Sequence, residues 1–226
     1  MSNNLLFFIH VGIITLFLYS SLRLGKEALM AFVAGSWIAA NFYVIKEIQL
    51  FGFEVTASDA YTIGAMLGLF LIQEYWGRKE AKATITLSFF LLAFTALASY
   101  LHLQYVPSSH DTSHDAFERV LTGAPRLACA SLITFFIVQY AELALFTLFQ
   151  KNSHLSLPLR AFCIGSITQC LDTLLFSLLG LSGIVHSLVD VFVVSYSVKL
   201  IVLVISTPTV AFSHHFLPKN YERHPI

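Results

Sequence analysis

Long apolar stretches recur along the chain, with charges gathered at their ends, and predict seven helices: about 4–21, 28–45, 60–76, 84–105, 125–149, 160–182 and 189–213. Most reach the roughly 20 residues an α-helix needs to cross a bilayer. The first, apolar from Leu5 to about Ser20, is short for a span at about sixteen residues. No lysine or arginine precedes it and no small-x-small cleavage pattern follows it cleanly, so it reads as a retained span rather than a secretory signal. Between the second and third spans, Ile48-Gln-Leu-Phe-Gly-Phe-Glu-Val-Thr alternates around Gly52 and predicts a small hairpin or re-entrant turn near 48–57. Such an element must pack on protein, because lipid satisfies no open strand edge. Nothing in the chain resembles a Pro/Gly/Ser linker or a low-complexity tract, so residues 1–226 are expected to form one membrane domain, an all-α bundle of six to seven spans.

Polar residues inside these runs are few and patterned. Gln139-x-x-Glu142-x-x-x-Phe146 recurs thirty residues later as Gln169-x-x-Asp172-x-x-x-Phe176. Spacings of three and seven put each trio on roughly one helix face, a polar wall with an aromatic ring beside it. Ionisable groups at membrane depth are costly, and where they occur they face a protein interior or a wet cavity and serve a site. Lys199 lies about ten residues from either end of the last span, near the midplane, and needs a carboxylate; Glu142 and Asp172 are the candidates. Asn41 sits late in the second span, and Gln73 and Glu74 close the third. Glu74, beside Gly77-Arg78-Lys79-Glu80, reads either as a gate or as an interfacial ion-pair partner. The bland alternative for the whole set is interhelical pinning, but such hydrogen bonds are worth only about 0.6–2 kcal/mol each, weak cause for so many charges at depth.

Composition strengthens the membrane reading. The chain is 57% hydrophobic and 12% charged, with a mean hydropathy of +0.75, where soluble domains carry about 25% charged residues. Net charge is zero, so no field favours nucleic acid. Of the thirteen lysines and arginines, nine (Arg23, Lys26, Arg78, Lys79, Lys82, Lys151, Arg160, Lys219 and Arg223) fall in one set of loops and three (Lys46, Arg119 and Arg126) in the other. The positive-inside rule then places the N-terminus outside and the C-terminus in the cytoplasm. Cys129, Cys163 and Cys170 lie in apolar segments without C-x-x-C spacing and read as packing residues. The loop 106–123 carries His110-Asp111-Thr-Ser-His114-Asp115, which could ligate a metal on a helical turn or form a solvated turn. With no third histidine or cysteine beside it, no metal or other cofactor is expected. No G-x-x-x-x-G-K-[ST], H-E-x-x-H or G-x-S-x-G occurs, which removes ATP binding by a phosphate loop and two common hydrolase sites. Gly64-x-x-x-Gly68 permits close helix approach, within the chain or across a homodimer.

A wall of carboxylate, amide and ring suits a flat solute with a fork of donors: the carboxylate accepts two parallel bonds, the amide meets a carbonyl, and a ring stacks. A guanine-like edge has that form, with Phe146, Phe176 or Tyr196 as stacking partners, although other planar amides or amidines would also fit.

Several ordered motifs carry a resemblance. Ala40-Asn41 with Lys46, the Ile48–Thr56 stretch, Glu74-Tyr-Trp-Gly-Arg-Lys-Glu-Ala81-Lys, Arg126 with Ala130-Ser131, the Gln139 trio, Arg160 before the Gln169 trio with Thr173, and Lys199 before Thr207-Pro208 resemble, in order and spacing, the queuosine-precursor transporter family of vitamin-uptake-like carriers. The resemblance runs from about 24 to 212. It implies a bacterial inner-membrane importer of 7-cyano- or 7-aminomethyl-7-deazaguanine, or of queuine, salvaged for transfer RNA modification. On that reading Asn41, Gln139, Glu142, Phe146, Gln169, Asp172, Phe176, Tyr196 and Lys199 bind substrate, and Glu74, Arg126 and Arg160 gate or brace the bundle. Members of the family place an aspartate where this chain has Phe70 and usually an aspartate at Glu142, and Ala161-Phe162 replaces a polar stretch. Phe70 leaves no place for a proton or substrate role of that aspartate, and the lost polarity points to a shifted substrate preference, with the bulkier queuine as its beneficiary. A carrier of another planar heteroaromatic or vitamin-like solute, a non-transporting assembly subunit and a membrane-embedded enzyme are the rival classes.

Overall fold

α1 (Asn3–Leu24) ends at Gly25 and α2 (Lys26–Tyr43) starts on the next residue, because Gly25 at φ 120° turns the chain without a loop. β1 (Glu47–Leu50) and β2 (Phe53–Thr56) pair antiparallel across the two-residue turn Phe51-Gly52. Both turn residues have positive φ, which suits the twist of a tight hairpin. The hairpin rests on protein as the lipid argument requires. Leu50 and Val55 are buried, Asn3 donates to the Gln49 carbonyl at 2.9 Å, and the Phe51 N–H donates to Asn4 at 3.1 Å. Then follow α3 (Asp59–His102), α4 (His114–Leu121), α5 (Pro125–Asn152), α6 (Leu157–Phe176) and α7 (Leu188–Ser206). A π-helical turn, Ser177–Leu181, extends α6, and a 3-10 segment, Thr207–Phe216, extends α7 past Pro208, which has no N–H to continue an α-helix. The computed structural model describes residues 2–56, 58–121, 125–152, 154–183, 187–219 and 221, with only the backbone at 125–128 and 152.

Among the described residues five segments are long and apolar enough to cross a membrane, Asn3–Leu24, Asp59–His102, Cys129–Lys151, Leu157–Leu181 and Leu188–Phe216, and α2, the second predicted span, is not one of them. α3 has 44 residues, about 66 Å of helix and twice a bilayer's core, so it makes two passes. The third and fourth predicted spans are therefore two helices that meet at Gly77 without the loop expected between them. Gly77, at φ 86° and ψ 177°, makes the bend in a single residue, in a region open essentially to glycine alone. Beyond it Arg78, Lys79 and Lys82 are exposed while Ala81 and Thr84 are buried, so this turn lies with its charged face outward, and Glu80 pairs with Lys26 at 3.0 Å. α1 is longer than its apolar core suggested: Ser2 caps it and 22 residues reach spanning length. The connection from α3 to α5 also holds an unforeseen short helix, α4, with no buried residue.

The first half of α3 is the centre of the bundle. It runs against α2 along most of its length and also meets α1, α5, α6 and α7. Gly64 and Gly68 make this fit: a Cβ on Gly64 would overlap Ile14 of α1, and one on Gly68 would stand 2.5 Å from Val33 of α2. The small-residue stripe is thus filled by helices of the same chain. The short 153–156 connection leaves α5 and α6 antiparallel neighbours, so the two polar trios run in opposite directions.

Candidate functional site

Gln73 fixes the level of α3 against α5, donating to the Leu143 carbonyl and to Thr147 Oγ1, both at 3.3 Å. One helical turn away, Phe70 meets Phe146 edge-on, with centroids 5.0 Å apart. Arg160 of α6 reaches into the same level. Its guanidinium lies 4.9 Å from the Phe146 centroid and 5.7 Å from that of Phe70, and it forms an ion pair with Glu74. Arginine suits this place because its plane stacks on rings while its fork holds a carboxylate. Phe70, where an aspartate was expected by resemblance, here builds an aromatic floor with Phe146 and Arg160.

From this floor the helices set a ladder. At about 1.5 Å per residue, Glu142 stands about 6 Å above Phe146 and Gln139 about 10 Å; on α6, Gln169 stands about 14 Å above Arg160 and Asp172 about 18 Å. The opposite directions of α5 and α6 thus bring the two glutamines to adjacent levels and set the carboxylates at opposite ends. Gln139, Glu142, Phe146 and Gln169 are at most 2% exposed. Each trio lies on one face, and that face is internal for all three members of the first.

Lys199 is the partner of Asp172, at 2.6 Å, and also donates to Thr173 Oγ1 at 3.2 Å. Glu142, the other candidate for Lys199, forms no such pair. Both its carboxylate oxygens are buried without a hydrogen-bond partner among the described residues, as is Gln169 Oε1. The Ser166 hydroxyl and Arg160 Nε, on the same helix as Gln169, share that condition. Nearly all buried polar groups in proteins find partners, so these four residues, along with His10, Trp37, Ser88 and Thr134, stand out as buried groups with hydrogen-bonding capacity to spare among the described residues.

The other expected site residues stand apart. Asn41 is exposed on α2 and fully engaged, donating to the Trp37 carbonyl at 2.9 Å and accepting from Ser131 at 2.8 Å, so it pins α2 to α5. The Tyr196 hydroxyl donates to the Ser166 carbonyl at 3.2 Å and its ring stacks on Phe192, so it joins α7 to α6. Phe176 ends α6, one turn past Asp172, and has no ring partner among the described residues. The Arg126 side chain lies outside the described residues. In the connection from α3 to α4, Asp111 accepts from the Ser113 N–H and hydroxyl, both at 2.7 Å, which holds its carboxyl below the usual carboxylate range in an ordinary turn. Sequence reasoning missed Asp59, a 5%-exposed aspartate that opens α3. Its place at an element boundary, where acids are common, hid it.

The residues from 61 to 213, which include the floor, both trios and Lys199, match the family model described as "Putative vitamin uptake transporter". A protein of Bacillus subtilis (strain 168) named "Probable queuosine precursor transporter" is 26% identical over 200 residues, covering 87% of each chain. No solved structure matches. With most of its length, and the whole polar ladder, inside the family's match, the chain belongs to the vitamin uptake transporter family, a group of membrane-embedded solute carriers.

Proposed function

We propose that this carrier imports queuosine precursors, 7-deazaguanine bases, across the cell inner membrane, with α2 as a seventh crossing beside the two passes of α3, so that its N-terminus lies outside and its C-terminus in the cytoplasm. Glu142 carries the reading: a buried carboxylate with two unengaged acceptors, at membrane depth, above an aromatic floor. A deazaguanine's ring N–H and exocyclic amine supply the matching fork of donors, its carbonyl meets the amide of Gln139 or Gln169, and Phe146 lies one turn below as the ring partner. The Arg160–Glu74 pair closes the end toward the cation-rich loops, so release on that side requires the pair and the Phe70–Phe146 contact to part. The name of the Bacillus relative agrees with this substrate class. The base passes unaltered, with no catalytic step and no cofactor.

Uptake of labelled base into proteoliposomes tests it. Glu142→Gln keeps the volume but turns one acceptor into a donor that faces the guest's N–H. Loss of a charged hydrogen bond, about 1.5–3 kcal/mol, lowers affinity about tenfold or more. Uptake at the wild-type rate and affinity by a folded Glu142→Gln protein refutes the assignment.

A further inference from the structure

Asp59 has no part in the reading above. It opens α3 directly after the hairpin, where β2 and α3 both pack on α7. There it lies within electrostatic reach of both Lys199 and Asp172. The outer end of the ladder therefore holds two carboxylates and one ammonium, a formal charge of minus one in a buried setting. Lys199 does not balance both acids. It is committed by hydrogen bonds to Asp172 and Thr173 on one face of α6, and none joins it to Asp59 among the described residues. One turn inward on that same face, Gln169 is 1% exposed and its amide oxygen has no donor among the described residues. Acceptors and negative charge are thus both in excess at this pole, and the complement is a cation with N–H groups.

At the other pole, about 12 Å away along the helix axis, Glu142 matches a neutral donor fork. Two charge-assisted hydrogen bonds of about 2.8 Å at the ends would leave roughly half of that span for the guest, the scale of a fused bicycle with a short arm. We propose that Asp59, Asp172, Lys199 and Gln169 form an ammonium-binding subsite, so that the carrier selects 7-deazaguanines with an aminated arm, aminomethyl or its larger alkylated form, over the cyano congener. The proposal rests on Glu142 reading the base edge. A nitrile offers only an acceptor and would face the two carboxylates without a donor, whereas an ammonium brings three N–H groups, or two when alkylated, and the missing positive charge.

Binding of 7-aminomethyl- and 7-cyano-7-deazaguanine to the detergent-purified full chain decides it. The wild-type protein should hold the aminomethyl compound about tenfold or more tighter, the effect of one added charged hydrogen bond. Asp59→Asn should remove most of that ratio. Equal affinities, or preference for the nitrile, in the wild-type protein overturn the subsite while leaving the proposed function standing. That comparison needs no variant and decides the matter even if Asp59→Asn fails to fold. An Asp59→Asn protein that weakens both compounds alike makes Asp59 structural and overturns its role here. If neither compound binds, the proposed function falls and the subsite with it.

Discussion

Replacing Lys199 with methionine keeps much of the side-chain volume and removes the ammonium from a helix that is otherwise apolar at this depth. Asp172 then loses the 2.6 Å partner of its carboxylate, and Asp59 loses the electrostatic influence of the same ammonium. Lys199 is 6% exposed, so water does not readily replace it. Removing one member of a buried pair typically costs about 3–5 kcal/mol, because the remaining charge is stranded. Helices in a membrane find other partners before they assemble, which lowers such costs, so the low end, about 3 kcal/mol, is expected. For a chain of this size each kcal/mol moves the melting temperature by about 2–4 °C, so Lys199→Met should melt roughly 6–12 °C below wild type in detergent. Adding Asp172→Asn to Lys199→Met removes a stranded charge and should recover most of the loss, giving a coupling of at least about 1 kcal/mol in the double-mutant cycle. Transport should not return, since the acceptor is gone. A wild-type melting temperature for Lys199→Met, or a cycle in which the two changes simply add, would show that the pair does not form and that the ladder's outer pole is misplaced.

Gly165→Ala should destabilise by about 1–3 kcal/mol, because its Cβ would stand 2.8 Å from Leu203 and 2.9 Å from Met66; Leu203→Ala should relieve part of that, as read by thermal melting. Gly77→Ala places a side chain at φ 86° and ψ 177° and should cost about 1–3 kcal/mol, while Lys82→Ala, on the exposed side of the same turn, should cost little in the same melt. Arg160→Lys keeps the charge but loses the plane over Phe146. It should reduce the uptake rate more than Kd for the base; a rate equal to wild type would remove Arg160 from the release step.

The polar trios were legible because an amide or carboxylate in an apolar run has few explanations, and helical spacing alone put their members on one face. The mate of Lys199 was not, since spacing along one chain leaves Glu142 and Asp172 equal; only the antiparallel packing of α5 on α6 places Glu142 about 12 Å from Asp172 along the axis. Gly77 was hidden for the opposite reason. Gly-Arg-Lys-Glu reads as a loop between spans, and nothing in those letters shows that one glycine bends the chain and lets the cationic turn stay helical. Asn41 has the polarity of a site residue, yet its partners Trp37 and Ser131 satisfy both ends of its amide. Composition cannot separate a satisfied amide from an unsatisfied one.

The opposite directions of the two trios have a consequence for how substrate passes. Had the helices run parallel, both carboxylates would share a level and compete for one donor edge. Running antiparallel, they offer the glutamines at adjacent central levels and one acid toward each face of the membrane, each closed by a different device. Below Glu142 stands the Arg160–Glu74 pair with its aromatic floor. Beside Asp172 stand Lys199, Asp59 and the hairpin that leads into α3. On the proposed import reading, a guest entering from the hairpin side would meet the Lys199 cluster first and Glu142 last, so that its arm and its base edge would be read in sequence by different groups. Weakening the Lys199 pole should therefore slow entry and leave exit unchanged, while weakening the Arg160 clamp should do the reverse. A carrier with a single acid at the midplane could not separate the two steps in this way.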